Sequence, residues 1–267
     1  MITITNYVKA QSIEEAYQLN QKNGSCILGG MLWTKMMNKS VNTAIDLSGL
    51  GLDKIEESEN DFSIGAMVTL RQIEKHEGLN SYSCGAVSEA VKNIVGVQFR
   101  NLATVGGSIW GRYGFSDVLT IFLAMDTYVE LYQGGIVALS DFVNMEYDKD
   151  LLVRIIVKKQ AGKFVYDSIR NQSTDFPVIA CAVAKLDGKY RITVGARPAR
   201  ACLVTDEEGI LQAGISKESA KAFADWLAEE VPTDSNMRGT AEYRTRLIHN
   251  ISQRLLLRLV EELGEVQ

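Results

Sequence analysis

Two glycine pairs, Gly29-Gly30 and Gly106-Gly107, are the residues whose type and spacing hold most chemical promise. A glycine pair lets successive backbone N–H groups come close to an anion and reach positive φ, which suits a diphosphate. Both pairs follow apolar runs, and no acidic residue stands near either until Asp117. Neither matches G-x-G-x-x-G or G-x-x-x-x-G-K-[ST], which disfavours a Rossmann or Walker site. A double glycine equally marks a turn. The residues themselves reach no further than a candidate dinucleotide binder.

Other chemistry is scarce. His76 and His249 are the only 2 histidines and are far from the spacing of a zinc site. The 4 cysteines, Cys26, Cys84, Cys181 and Cys202, form no C-x-x-C, so no zinc ribbon or iron–sulfur cluster is signalled. Met31, Met36 and Met37 read as core filler. No resident metal is expected. With 28 Lys+Arg against 33 Asp+Glu, the net charge of -5 argues against a nucleic-acid partner. The opening residues lack a secretory pattern, and no apolar run approaches the ~18 residues of a membrane helix. Dispersed cysteines fit a reducing compartment, so a cytoplasmic protein is expected. If it is an enzyme, its chemistry is borrowed.

The elements that must position these glycines follow from patterning. A length of 267 residues suggests two domains or one subdivided unit. Ser12 and Glu15 form a capping box that opens a helix, and Asn23-Gly24 ends it. A buried strand over residues 25–28 runs into Gly29-Gly30, and residues 31–37, free of breakers, predict a short helix. That helix would add its N-terminal dipole to the first pair. Strands are predicted over 42–47 and 62–66. Thr69 and Gln72 make a second capping box, starting a helix that stops at Gly78, and 84–95 predicts another helix. The second pair sits in a glycine-studded loop extending to Asp117. A hairpin is expected from 127–132 and 136–139, and the chain changes character near 158–165. Beyond it, strands 178–186 and 190–195 flank an Asp187-Gly188 turn. Helices over 216–230 and 240–263 follow, the second with Tyr243, Leu247, Ile251, Leu255 and Leu259 as one apolar stripe.

At the glycine pairs the sequence resembles the FAD-binding medium subunit of molybdenum hydroxylases, the xanthine, carbon monoxide and nicotinate dehydrogenase group. The matching segments are ILGGMLW (27–33), IDLSGL (45–50), FSIGAMVTL (62–70) and VQFRNLATVGGSI (97–109). Ser116-Asp117, LAMDTYVEL (123–131) and DSNMRGTAEYRTRLIHNISQRLL (234–256) continue the match over almost the whole chain. The R-N-x-A-T-[IV]-G-G run followed by S-D is its most specific part. The resemblance implies an α+β fold: a two-subdomain FAD-binding module of the PCMH, vanillyl-alcohol-oxidase-like type, then a small C-terminal α+β domain with an antiparallel sheet. The implied domains are 1–160, subdivided near residue 55, and 161–267.

The same resemblance implies a cofactor, FAD, and its contacts. The loop Cys26, Ile27, Leu28, Gly29, Gly30, Met31, Leu32 and Trp33 would hold the diphosphate and flank the flavin. Thr104, Val105, Gly106, Gly107 and Ser108 would do so from the second loop. Asp117 matches a residue meeting ribityl or ribose hydroxyls, Leu152 one with apolar contact, and Ile94 lies toward the adenine. The implied partners are a molybdopterin-binding large subunit and a [2Fe-2S] small subunit, with NAD+ or another electron acceptor. The substrate stays open among purines, N-heteroaromatic acids, aldehydes and carbon monoxide, with a purine favoured. No side chain is needed as acid, base or nucleophile.

The sequence also departs from the family pattern. Ser108 replaces the usual Asn, Met31-Leu32 replaces a Thr and an acidic residue, and Asp167 stands where many members have Lys. Asp167 would set a negative charge near the flavin. Arg112 could meet a phosphate or form an exposed subunit contact. A freestanding flavin oxidoreductase and a flavin-free scaffold subunit are the alternatives to an electron-transfer subunit.

Overall fold

The computed structural model describes residues 1–264. In chain order it begins with β1 (Thr3–Lys9), α1 (Ile13–Gln21), β2 (Ser25–Leu28), β3 (Ser40–Asp46), β4 (Ile55–Glu57) and β5 (Asp61–Gly65). Helices α2 (Leu70–Lys75), α3 (Glu77–Tyr82), α4 (Ala86–Lys92), α5 (Val97–Arg100), α6 (Val105–Gly111) and α7 (Asp117–Ala124) follow. Next come β6 (Thr127–Leu131), β7 (Gly135–Ala138), α8 (Leu139–Phe142) and β8 (Leu152–Lys158). Strands β9 (Gly162–Arg170), β10 (Pro177–Leu186), β11 (Lys189–Gly195) and β12 (Cys202–Thr205) precede α9 (Lys217–Glu230) and α10 (Ala241–Leu263). Among the described residues no helix is long and apolar enough to cross a membrane.

The chain packs as two compact units, each drawn from separate stretches. The first takes residues 1–72, 97–111 and 127–157. In it, β1, β3 and β2 form a parallel sheet in that order, and β4-β5-β8-β6-β7 form a second sheet. Ala16 of α1, Ile45 of β3, Leu52 and Val153 share one apolar core. Ser12 caps α1 by accepting the Glu15 N–H at 3.0 Å. The reciprocal half of that capping box differs from expectation. The Glu15 carboxylate takes the Gln11 N–H at 2.7 Å instead, one residue earlier. At Thr69 and Gln72 both halves form as expected, with the Gln72 Oε1 accepting the Thr69 N–H at 2.8 Å and the Thr69 hydroxyl accepting the Gln72 N–H at 3.2 Å.

The second unit takes residues 73–96, 112–126 and the chain from Lys158 onward. Its antiparallel sheet runs β12-β11-β10-β9. Ile179, Cys181 and Val183 of β10 share a core with Phe223 and Leu227 of α9 and with Ile251 and Leu255 of α10. Helix α7 packs on β10 and β11, and α4 on β9. Strand β10 is thus buried along both faces, which is why it reads as a continuous apolar run rather than an alternation. Gly195 lets α7 approach closely, since a Cβ there would lie 2.1 Å from the Thr120 hydroxyl. The Asp187-Gly188 turn adopts positive φ at both residues, +45° and +80°, as a tight hairpin turn requires.

Several expected elements change. Residues 31–37 hold only a 3-10 turn, Thr34–Met36, because Met31 turns into the left-handed region at φ 62°. The helix expected to stop at Gly78 breaks two residues earlier. His76 takes an extended conformation there, and its Nδ1 caps α3 by accepting the Leu79 N–H at 3.0 Å. The second glycine pair lies inside α6 rather than in a loop. Helix α10 buries Arg244, Ile248, Ile251, Ser252, Leu255, Leu256 and Leu259, while Tyr243 is 45% exposed. Steps of four residues drift by ~40° each at 3.6 residues per turn, so the expected stripe leaves the core at its N-terminal end.

Candidate cofactor site

Strand β2 delivers Gly29-Gly30 to the segment leading into α6, within the first unit. A Cβ on Gly30 would lie 1.8 Å from the Leu102 carbonyl oxygen, so only glycine fits there. A Cβ on Gly29 and one on Gly107 would each lie 3.0 Å from the Thr104 hydroxyl. Thr104 therefore stands between the two glycine pairs. Its Oγ1 accepts the Gly107 N–H at 3.1 Å, so its own proton remains to donate. The segment is fixed by backbone bonds. Leu70 N–H donates to Ala103 O at 2.8 Å, Val105 N–H to Val68 O at 2.8 Å, and Gly106 N–H to Ala66 O at 3.0 Å. Gly106 is glycine for a similar reason as Gly30: a Cβ would sit 2.4 Å from the Ala66 oxygen.

Backbone accounting separates the two pairs. In the second, the N–H groups of Val105, Gly106, Gly107 and Ser108 all have protein acceptors. In the first, the N–H groups of Gly29, Gly30, Met31 and Leu32 donate to no acceptor among the described residues, although all four residues are half-buried. Half-buried backbone donors in a row call for an external acceptor. The left-handed Met31 costs about 1–2 kcal/mol relative to an ordinary conformation, and such strain gathers at ligand sites. The donor set fits a diphosphate. The helix dipole expected beside the first pair is absent, since a single 3-10 turn follows.

The remaining expected residues of this unit fall as follows. Cys26 and Ile27 lie on β2 and are half-buried, as are Leu28 and Trp33. The Trp33 ring packs edge-on to Phe99, 6.0 Å between centroids. Burial pushes the Cys26 thiol up against the pull of Lys39, as suits an inert thiol. The Ser108 hydroxyl donates to the Thr104 carbonyl at 3.3 Å. Leu152 is buried in β8.

Ile94 and Asp117 belong to the second unit. Ile94 follows α4 and is half-buried. Asp117, 4% exposed, occupies the first turn of α7, which Ser116 caps by accepting the Leu119 N–H. Its Oδ1 accepts the Tyr166 hydroxyl and lies 2.7 Å from Nη2 of Arg170. Burial pushes the Asp117 carboxyl up, opposed by the Arg170 charge and the Tyr166 hydrogen bond. Burial and the Asp117 charge hold the Tyr166 hydroxyl far above its ordinary range, so it stays a donor. Sequence reading missed Tyr166 and Arg170, which lie 49 and 53 residues from Asp117; no local spacing signals them.

Two charges resolve differently from expectation. Arg112 is not an exposed contact but 2% exposed, at φ 43°. Asp167 is not an unopposed negative charge, because Arg254 Nη2 lies 2.5 Å from its Oδ2. The second unit also holds a cavity of about 260 Å³ lined by Phe115, Phe176, Arg200, Asn236 and Arg238 among others. Phe115 and Phe176 are 4.2 Å apart at their centroids, and the Arg238 guanidinium stacks 4.8 Å over Phe176.

Known proteins share this architecture. The family described as the FAD binding domain in molybdopterin dehydrogenase matches residues 3–174. The CO dehydrogenase flavoprotein C-terminal domain matches residues 164–259. The 6-hydroxypseudooxynicotine dehydrogenase complex subunit alpha of Paenarthrobacter nicotinovorans is 25% identical, over 94% of this chain and 93% of that one. The glyceraldehyde dehydrogenase medium chain of Sulfolobus acidocaldarius is 24% identical, over 91% and 94%. In fold, the chain matches carbon monoxide dehydrogenase from Hydrogenophaga pseudoflava with a TM-score of 0.85 at 22% identity, over 97% of this chain and 98% of that one.

Proposed function

The chain belongs to the family of FAD-binding domains of molybdopterin dehydrogenases, and from that premise we propose that it is the electron-transfer subunit of a molybdenum-containing hydroxylase. Its cofactor is FAD. The proposed partners are a molybdopterin-binding large subunit and a [2Fe-2S] small subunit, which would send electrons by way of this chain to NAD+ or another acceptor. Bound FAD would supply the redox chemistry.

The chain's own residues bind and orient. The row of open N–H groups from Gly29 to Leu32 beside the Thr104 hydroxyl carries this reading. These groups would take the diphosphate, with Cys26 to Leu28, Trp33 and Val105 to Ser108 shaping the walls. Asp117, Ile94 and Leu152 would meet the rest of the cofactor. In this reading residues 1–160 are the FAD-binding domain and 161–267 the C-terminal domain. The cavity beside Phe176 offers an aromatic face and arginines, which supports a nucleotide acceptor. Four free cysteines support a reducing, cytoplasmic setting. A purine is the favoured substrate class, chosen by the molybdenum-bearing partner.

Native purification tests the proposal. The expected result is a yellow protein that releases one FAD per chain and co-purifies with both partner chains. A colourless complex would make this a flavin-free scaffold, and flavin without partner chains would make it a freestanding oxidoreductase. Either outcome overturns the reading.

A further inference from the structure

Asp117 is held by two residues that bind the same carboxylate oxygen. Tyr166 donates its hydroxyl to Oδ1, and Arg170 Nη2 donates to Oδ1 from 2.7 Å. Arg170 is itself pinned. Its Nε donates to the Ser168 hydroxyl at 3.2 Å and its Nη1 to the Asp175 carbonyl at 2.5 Å. Its side chain is 7% exposed. Among the described residues, no other residue donates to Oδ2 of Asp117. Two donors from elsewhere in the fold thus meet on one oxygen, and beyond them the carboxylate has the hydrogen bond of its own Asp117 backbone N–H.

We propose that Tyr166 and Arg170 are positioning residues for the cofactor: by occupying Oδ1 they lock the Asp117 carboxylate so that Oδ2 is left to accept a hydroxyl of FAD. This rests on the reading above that Asp117 meets the cofactor. The two donors do separate work. Arg170 sets a positive charge against the carboxyl, and Tyr166 fixes its rotation about the side chain, because a single ion-pair contact on one oxygen permits swivelling. Arg170, the last residue of β9, also binds the Asp175 carbonyl in the connection to β10, so the end of β9 and the start of α7 are registered through one oxygen atom.

The test is a double-mutant cycle on the full chain, reading FAD dissociation by the fluorescence of released flavin and the melting temperature of the apoprotein. D117N, Y166F and R170K are made singly and in the pairs D117N/Y166F and D117N/R170K. The expected result is a loss of FAD affinity in each single variant, roughly fivefold to tenfold for the one hydrogen bond removed in Y166F. In the pairs the losses should not add, since each positioning residue acts only through Asp117. If D117N binds FAD as tightly as the natural protein, the cofactor role of Asp117 fails and the inference with it. If D117N weakens binding but Y166F and R170K do not, or if their losses add to that of D117N, Asp117 keeps its role and the positioning claim is wrong. R170K retains the charge, so it reports even where Y166F unfolds.

Discussion

Gly30 packs against Leu102 so closely that a Cβ on it would lie 1.8 Å from the Leu102 carbonyl oxygen. The obstacle is backbone, itself held by the Leu70 N–H to Ala103 O bond one residue on, so it cannot swing away. Gly30→Ala should therefore push the first glycine loop off the second. The expected cost is about 3 kcal/mol of stability, at the upper end for overpacking, with FAD affinity lost at least tenfold. Gly29→Ala meets only the end of a threonine side chain at 3.0 Å and should cost less than about 1 kcal/mol, typical of a tolerated site. Thermal melts and flavin titration of the two variants check this contrast. Equal damage from both would mean that the close approach to Leu102 does not govern the loop.

Thr104 supplies the second test of the cradle. Its hydroxyl accepts the Gly107 N–H at 3.1 Å and stands beside Gly29. Thr104→Val keeps the shape but removes the acceptor, leaving the Gly107 N–H without its partner at a cost of about 1–3 kcal/mol. It also removes the proton available to a phosphate oxygen, so FAD binding should weaken roughly tenfold, the equivalent of about 1.4 kcal/mol. Thr104→Ser should retain most of both. If valine and serine bind FAD alike, the hydroxyl plays no part.

Much of this site was legible in the residues because glycine announces backbone need. The strand over 25–28, the pairs Gly29-Gly30 and Gly106-Gly107, the hairpin at Asp187-Gly188 and the caps at Ser12 and Thr69 all rest on local stereochemistry. What stayed hidden depends on distant partners. The N–H groups of the second pair are consumed by Ala66 and Thr104, whereas those of the first find no protein acceptor among the described residues; no spacing in either pair distinguishes them. Residues 31–37 are apolar and free of breakers, yet Met31 leaves helical space, and Trp33 settles against Phe99 from α5. Helix α7 went unread because all of Asp117–Ala124 is buried, which erases the polar face that periodicity needs. Tyr166 and Arg170 were invisible for the same long-range reason, since β9 meets Asp117 only in the folded unit.

The cysteines differ in reactivity by burial. Cys181 is fully buried in β10 and its thiol is pushed far above the ordinary range. Burial also raises Cys202 on β12, against the nearby Arg197 charge, and Cys26 on β2. The thiolate is the reactive form, so iodoacetamide at neutral pH should leave Cys181 unmodified until the protein unfolds. It should label Cys26 more slowly than free cysteine. Peptide mass spectrometry over a time course reads this directly. Rapid labelling of Cys26 in the native protein would overturn the view that it is an inert wall residue of the first glycine loop.

Asp175 gives a pH dependence of defined sign. Its carboxylate accepts the Phe176 N–H at 2.7 Å and pairs with Arg238 at 3.2 Å. That N–H holds its pKa below the ordinary carboxylate value against the opposing effect of burial, with the Arg238 hydrogen bond and the Arg238 and Arg170 charges adding to it. A depressed folded pKa means stability that is present above the unfolded value, near 3.9, and lost as pH falls through the folded one. The site is partly exposed, with Asp175 and Arg238 side chains 32% and 26% accessible, so solvent screening keeps the effect small. Asp175→Asn should lower the melting temperature by about 1–2 °C at pH 7, within the range for a weak exposed pair. The gap to the natural protein should narrow as pH falls from about 4 toward 2, as the natural Asp175 takes up its own proton. Melting curves of both proteins across that range test it, and a gap that persists unchanged at pH 2 would show that charge on Asp175 contributes nothing.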